Sequence, residues 1–241
     1  MLEARLAEHR RIWDAKPGLR AVYADAYRRI AERCRPGRTL EIGGGSGNLK
    51  RSMDGIIATD IVPAPWLDIV ADAHHLPFSA GAFANVVLFD VLHHLERPRR
   101  FLAEAARVLE SGGRLIAVEP AITPVSYVFF KLFHAEPVVM DADPLAEGPR
   151  DPKRSPMDSN QAIPTLLVGR HRRALAAAVP ELALMECRHF GLFAYPLSGG
   201  FQPWSVLPAA LAGPLIAFER AIEPLLGRVM AFRLLAVLER K

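Results

Sequence analysis

Cysteine is scarce in this 241-residue chain: Cys34 and Cys187 are the two present. Their spacing matches no metal ligand set and no disulfide framework, so they fit a reducing compartment and an ordinary packing role. Long apolar runs are missing as well. The longest uncharged one, residues 206–218, is too short to span a bilayer and is interrupted by Pro208, Gly213 and Pro214. The opening residues, Met1 to Arg11, are charged, which argues against a secretory leader. A soluble, cytoplasmic chain is therefore expected, at most peripheral to a membrane. Basic clusters are lacking too, because the net charge is only +4 and the arginines are spread along the chain. Nothing in it resembles a nucleic-acid-binding arm. What remains is a composition that is 51% hydrophobic and 23% charged, enough for one packed α/β domain or a domain with a large cap.

Residues 1–33 read as helical, with Leu19, Val22, Tyr23, Ala26 and Ile30 on one face. Arg35-Pro36-Gly37 stops that helix. Buried strands follow at 39–41, 55–60, 67–73, 84–90 and 114–119, with about two turns of helix predicted over 46–54. Phe101, Leu102, Ala105, Val108 and Leu109 form the buried face of another helix, closed by Ser111-Gly112-Gly113. Strands alternating with helices at this spacing predict a doubly wound, Rossmann-like α/β sheet. Beyond Glu119 the regularity fails. A helix is predicted over 161–179 and a strand over 182–190, while 233–240 reads as a strand or a helix end. The chain divides into a helical N-terminal segment (1–37), a cofactor-binding half (38–120) and a remainder (121–241) with helical or loop cap insertions at about 120–160 and 196–232.

The stretch Thr39-Leu40-Glu41-Ile42-Gly43-Gly44-Gly45-Ser46-Gly47-Asn48 organises the rest. Glycine at a strand-to-helix turn lets the backbone take positive φ and pass close to a ligand. A dinucleotide turn of the form G-x-G-x-x-G starting at Gly43 needs glycine at position 48, where Asn48 stands. The spacing is instead Glu-x-Gly-x-Gly-x-Gly, through Glu41, Gly43, Gly45 and Gly47. The five early strands finish in or beside Glu41, Asp60, Asp72, Asp90 and Glu119, at the sheet edge where open parallel sheets bind ligands.

That glycine pattern resembles the first motif of the class I methyltransferases that use S-adenosylmethionine. Asp72-Ala73-x-x-Leu76-Pro77-Phe78, Asp90-Val91-Leu92-His93-His94-Leu95, and the run from Glu104 to Glu119 resemble later elements of the subgroup that includes quinone-ring and other small-molecule methylating enzymes. Together they cover about residues 38–120. The resemblance implies S-adenosylmethionine as cofactor and S-adenosylhomocysteine as product. Glu41 would serve the methionine amino group, and Gly43, Gly45, Gly47 and Asn48 would pass under methionine and ribose. Asp60 with Ile61 would meet the ribose, Asp72 and Ala73 the adenine, and Asp90 would close the site.

His93 and His94 follow the fourth strand, where an imidazole can take a proton near neutral pH. His134, with Glu136, is the weaker candidate in the insert. His-x-Glu by itself is no metal site, so no metal is expected. The acceptor is expected to be a small or lipid-linked molecule, held by the aromatic insertions. The stretch 204–232 reads as a membrane-surface element, a homodimer interface or plain core. A catalytically silent cofactor-binding scaffold and a nucleotide-dependent oxidoreductase are the competing readings.

Overall fold

A computed structural model describes residues 2–149 and 151–241. Two N-terminal helices, α1 (Leu2–Ala15) and α2 (Pro17–Ala31), lead into β1 (Thr39–Ile42), β2 (Ile56–Asp60), β3 (Ile69–Val70) and β4 (Phe83–Phe89). Then come α3 (Pro98–Val108), β5 (Leu109–Pro120), α4 (Pro124–Phe133), α5 (Ile163–Val168) and α6 (Arg172–Ala178). The chain closes with β6 (Leu182–Phe190), α7 (Ala194–Ser198), α8 (Ala209–Met230) and β7 (Arg233–Arg240).

The strands form one sheet in the order β3-β2-β1-β4-β5-β7-β6. Its first five members are parallel, and β7 lies antiparallel between β5 and β6. The period of two along each strand sends alternate side chains to opposite faces. Val86 and Leu88 of β4, with Leu115 and Ala117 of β5, pack under α3 and α5; Val87, Ile116 and Val118 pack under α1 and α2. Burial on both faces explains why these strands read as continuous apolar runs. From β1 the chain runs outward to β3 and then returns to β4, so a crevice opens beyond the carboxyl ends of β1 and β4.

Four expectations need correction. Residues 46–54 form consecutive turns and no helix. Gly47 and Gly55 both hold positive φ, and the segment between them is too short to repay helix nucleation. The predicted helix over 161–179 is two short ones, parted at Gly169, and the third strand shrinks to Ile69–Val70. Residues 233–240 resolve as strand, and Leu109 opens β5 instead of closing α3.

The long helix α8 turns its charges inward. Arg29 of α2 holds Glu223 through two hydrogen bonds of 2.9 and 3.0 Å, and Arg220 pairs with Asp25 at 2.5 Å. Glu219, buried, accepts the N–H groups of Leu192, Phe193 and Ala194 at the start of α7. Leu211, Phe218, Leu225 and Val229 face outward. Among the described residues no helix is long and apolar enough to cross a membrane.

Candidate functional site

At the carboxyl end of β1 the backbone folds over its own glycines. Gly43, Gly45 and Gly47 sit at φ of 68°, 49° and 74°. Asp60, at the end of β2, accepts from the Gly45 N–H at 2.9 Å and from the Val62 N–H at 2.9 Å, tying the turn to the neighbouring strand. The glycines are not equivalent. A Cβ on Gly43 would lie 2.3 Å from a methyl of Val91, and one on Gly47 would lie 2.7 Å from the Trp66 ring. A Cβ on Gly45 would meet only the Gly43 carbonyl, at 3.8 Å. So Gly43 and Gly47 are required by packing, whereas the Gly45 position faces open space. Trp66 closes this side, donating Nε1–H to the Gly45 carbonyl at 2.8 Å, with the Arg10 guanidinium 4.2 Å above its ring.

Beneath the turn lies Glu41, 3% exposed. Its Oε2 is buried without a hydrogen-bond partner, as is Asn48 Oδ1 close by in sequence. Burial, reinforced by the charge of Asp60, pushes the Glu41 carboxyl up to about 8. An acid held in that state is poised for a cation, because an incoming positive group would supply the solvation that burial removed. Ile61 is exposed next to Asp60. Asp72 accepts from the His74 N–H at 2.9 Å and lies 2.7 Å from His74 Nδ1, with the neighbouring Ala73 buried. Leu76 and Phe78 are core residues, their loop clamped by Arg107 Nη atoms on the Leu76 and Phe78 carbonyls.

The second half of the edge lies beyond β4 and β5. Glu119 is fully buried and accepts the N–H groups of Val91 and Leu92 at 2.8 and 2.7 Å. It therefore shapes the 3-10 turn Leu92–His94 that carries both histidines. Its other oxygen lies 2.7 Å from His93 Nδ1. On the far side of that ring, Nε2 lies 3.6 Å from Glu136 Oε2. Burial works to lower the His93 pKa, but the charge and hydrogen bond of Glu119, with the hydrogen bond of Glu136, push it up to about 9. Glu136 goes the other way: against the cost of its own burial, the His93 hydrogen bond and charge hold it at about 2. His94 stacks obliquely on His93 with ring centroids 4.2 Å apart. Its pKa and that of His134 are lowered, chiefly by burial. His134 caps the end of α4 and takes the Glu136 N–H on Nδ1 at 3.2 Å.

Asp90 does not stand open at the edge. With φ of 59°, it forms a two-pronged ion pair with Arg233, whose Nη2 lies 2.8 Å from Asp90 Oδ2. Arg233 is buried against the faces of Tyr195 and Phe89, 4.1 and 5.3 Å from their centroids. This group borders a narrow gap of about 20 Å³, room for little more than one water, lined by Tyr23, Phe89, Tyr195, Ile216, Glu219 and Arg233.

The predicted residues thus fall into two neighbouring sets. Glu41, the glycines, Asn48, Asp60 and Ile61 gather at β1 and β2, while Asp90, His93, His94 and His134 gather beyond β4, with Asp72 and Ala73 behind β3. Trp66 and Arg233 carried no local signal in the sequence. The place of Glu136 beside His93 depends on a fold-back of the insert.

A model of the methyltransferase domain matches residues 40–117. An uncharacterized 37.1 kDa protein from a Streptomyces fradiae transposon is 40% identical over 62 residues, 26% of this chain and 18% of that protein. An uncharacterized Methanocaldococcus jannaschii protein is 34% identical over 88 residues, 33% of this chain and 43% of the other. The chain therefore spans less than half the length of these curated relatives. Among solved structures, a SAM-dependent methyltransferase from Archaeoglobus fulgidus superposes with a TM-score of 0.52 at 15% identity, over 92% of this chain and 94% of that one. A Bacillus halodurans protein, solved as a candidate methyltransferase, superposes with a TM-score of 0.50 at 17% identity, over 90% and 96%. At these identities the likeness is one of fold.

Proposed function

We propose that this chain, whose residues 40–117 match a methyltransferase domain, moves the methyl group of S-adenosylmethionine to a small-molecule or lipid-linked acceptor, releasing S-adenosylhomocysteine. The observation that carries this reading is the buried, unpartnered Oε2 of Glu41 under a glycine turn. It fits the ammonium of the methionine moiety. The open Gly45 position gives that moiety a path along the backbone, with Gly43, Gly47 and Asn48 beside it. Asp60 and Ile61 would meet the ribose, and Asp72 with the Ala73 N–H the adenine. When bound, the cofactor supplies an electrophilic sulfonium methyl, and the protein's task is mainly to align an acceptor in line with it.

The aromatic faces of Tyr195 and Phe89 around Arg233 favour an acceptor with a flat or apolar body. His94 and His134, their pKa values lowered by burial, stand on the same side, and a proton lost from a hydroxyl or amine acceptor would leave toward them, whereas His93, raised to about 9, already carries its proton at neutral pH. Calorimetric titration tests the cofactor reading. S-adenosylmethionine is expected to bind and NADH is not. Gly45→Val is expected to weaken S-adenosylmethionine at least ~10-fold by placing its branch in the open path, at a folding cost of about 1–2 kcal/mol for the left-handed backbone. Tight NADH binding with no S-adenosylmethionine binding, or unchanged affinity in folded Gly45→Val, would defeat it.

The outward face of α8 supports a lipid-linked acceptor and peripheral membrane contact. Leu225 is 81% exposed there, and Leu132 and Phe133 of the adjoining α4 are 68% and 73% exposed. Full-length protein is expected to sediment with phosphatidylcholine–phosphatidylglycerol vesicles, and the Phe218→Glu/Leu225→Glu variant to stay in the supernatant. Wild type that remains in the supernatant, or that forms dimers through this face in analytical ultracentrifugation, would refute the membrane reading.

A further inference from the structure

We propose that His93, His94 and Glu136 form a binding site for a divalent first-row metal ion of the zinc type. One ring nitrogen from each histidine and a carboxylate oxygen of Glu136 lie within 4.8 Å of one another. His93 Nε2 and Glu136 Oε2 are already 3.6 Å apart. Metal–ligand bonds of about 2.0–2.2 Å in a tetrahedron separate neighbouring ligand atoms by roughly 3.3–3.5 Å. The pair is thus nearly at the required spacing, and a His94 nitrogen lies within 4.8 Å of both atoms.

The surroundings argue more strongly than the trio itself. Ligating histidines keep their second nitrogen on a carboxylate or carbonyl, which fixes ring orientation and raises basicity. His93 has Nδ1 on the buried Glu119 at 2.7 Å, leaving Nε2 for the metal. His94 has Nδ1 on the Asp158 carbonyl at 3.3 Å, leaving its own Nε2. The third ligand is held as well, since Ser159 Oγ donates to Glu136 Oε2 at 3.0 Å and Gln161 Nε2 donates to the same oxygen. Every proposed ligand therefore has an outer partner, drawn from β5 and from residues 158–161.

Charge points the same way. Arg233 answers Asp90, but among the described residues neither Glu119 nor Glu136 has a lysine or arginine partner at ion-pair distance. A divalent ion would balance both carboxylates, displacing whatever proton His93 Nε2 shares with Glu136. Two imidazoles and one carboxylate favour zinc, cobalt or nickel over magnesium or calcium, which prefer oxygen. Three protein ligands leave a fourth position for water or an anionic oxygen.

The test uses the metal alone on the chelator-treated full chain, so it stands apart from the methyltransferase reading. Cys34→Ser/Cys187→Ser serves as background, removing thiol binding. Zinc titration by calorimetry is expected to show one saturable site per chain, and cobalt(II) is expected to give the intense visible absorption of a four-coordinate site. His94→Ala and Glu136→Gln, each checked for folding by circular dichroism, are expected to weaken zinc at least ~10-fold and to abolish the cobalt band. Failure to observe one-site zinc binding, a cobalt spectrum typical of six water-like ligands, or binding that survives both substitutions would overturn the proposal.

Discussion

Glu41→Gln is expected to weaken S-adenosylmethionine binding by at least ~10-fold while raising the melting temperature of the cofactor-free protein. The two effects share one cause. Burial and the nearby Asp60 raise the Glu41 carboxyl from the ordinary 4.5 to about 8. A group whose folded pKa lies above its unfolded one stabilises the fold fully below the unfolded value. That stability is lost as pH rises toward the folded pKa. Here the window runs from about 4.5 to about 8. Holding the acid in its site at pH 7 then costs about 3 kcal/mol relative to an acid already neutral in the unfolded chain. Glutamine carries no such cost, though its amide must find a partner and will return part of the gain.

The same amide cannot offer charge to an ammonium, and a charge-assisted hydrogen bond contributes about 1.5–3 kcal/mol. The variant should therefore melt several degrees above wild type at pH 8, at roughly 2–4 °C per kcal/mol, with the difference vanishing near pH 4.5. Cofactor binding near pH 7 should also release a proton from wild type and none from the variant, visible as buffer-dependent calorimetric heats. If Glu41→Gln melts no higher at pH 8 and binds the cofactor as tightly as wild type, Glu41 is not the partner of the ammonium.

Arg233→Met is expected to destabilise the fold by about 3 kcal/mol in urea denaturation, the lower end of the range for breaking a buried ion pair. The lower end is appropriate because the Arg233 side chain is 4% exposed but that of Asp90 is 28% exposed, so water relieves part of the orphaned charge. Methionine preserves much of the volume packed against Tyr195 and Phe89, which isolates the charge effect. Asp90→Asn in the same background should recover part of the loss. Asparagine tolerates the φ of 59° that Asp90 holds, so the second substitution adds no backbone strain. A double-variant cycle with no coupling between the two positions would show that the pair contributes nothing.

Much of residues 38–120 was legible because the signals there are local. The apolar runs at 39–42, 56–60 and 83–89 mark strands buried on both faces, and the glycines at 43, 45 and 47 announce a backbone with positive φ. The departures have identifiable causes. Residues 46–54 have a helical length in the sequence, but the glycines at both ends make nucleation unprofitable. The stretch 204–232 reads as a membrane-surface element, a homodimer interface or plain core, with nothing in its pattern to choose between them. The structure turns Glu219, Arg220 and Glu223 inward, because Asp25 and Arg29 of α2 and the start of α7 meet them there. No periodicity can announce a partner 194 residues away.

The sequence by itself determined the parallel sheet, the turn beyond β1 and the identity of the acids along the strand ends, since each depends on residues within one strand and its following loop. The tertiary structure alone decided what those acids do. Glu41 stays unpartnered under the glycines, Asp90 is taken up by Arg233 from the last strand, and Glu119 turns to hold His93. It also set Glu136 beside that histidine, by folding the insert back over the edge. The reason is physical. Propensity and pattern act over a few residues, whereas the state of a buried charge is set by whichever distant group packing brings within a few ångströms.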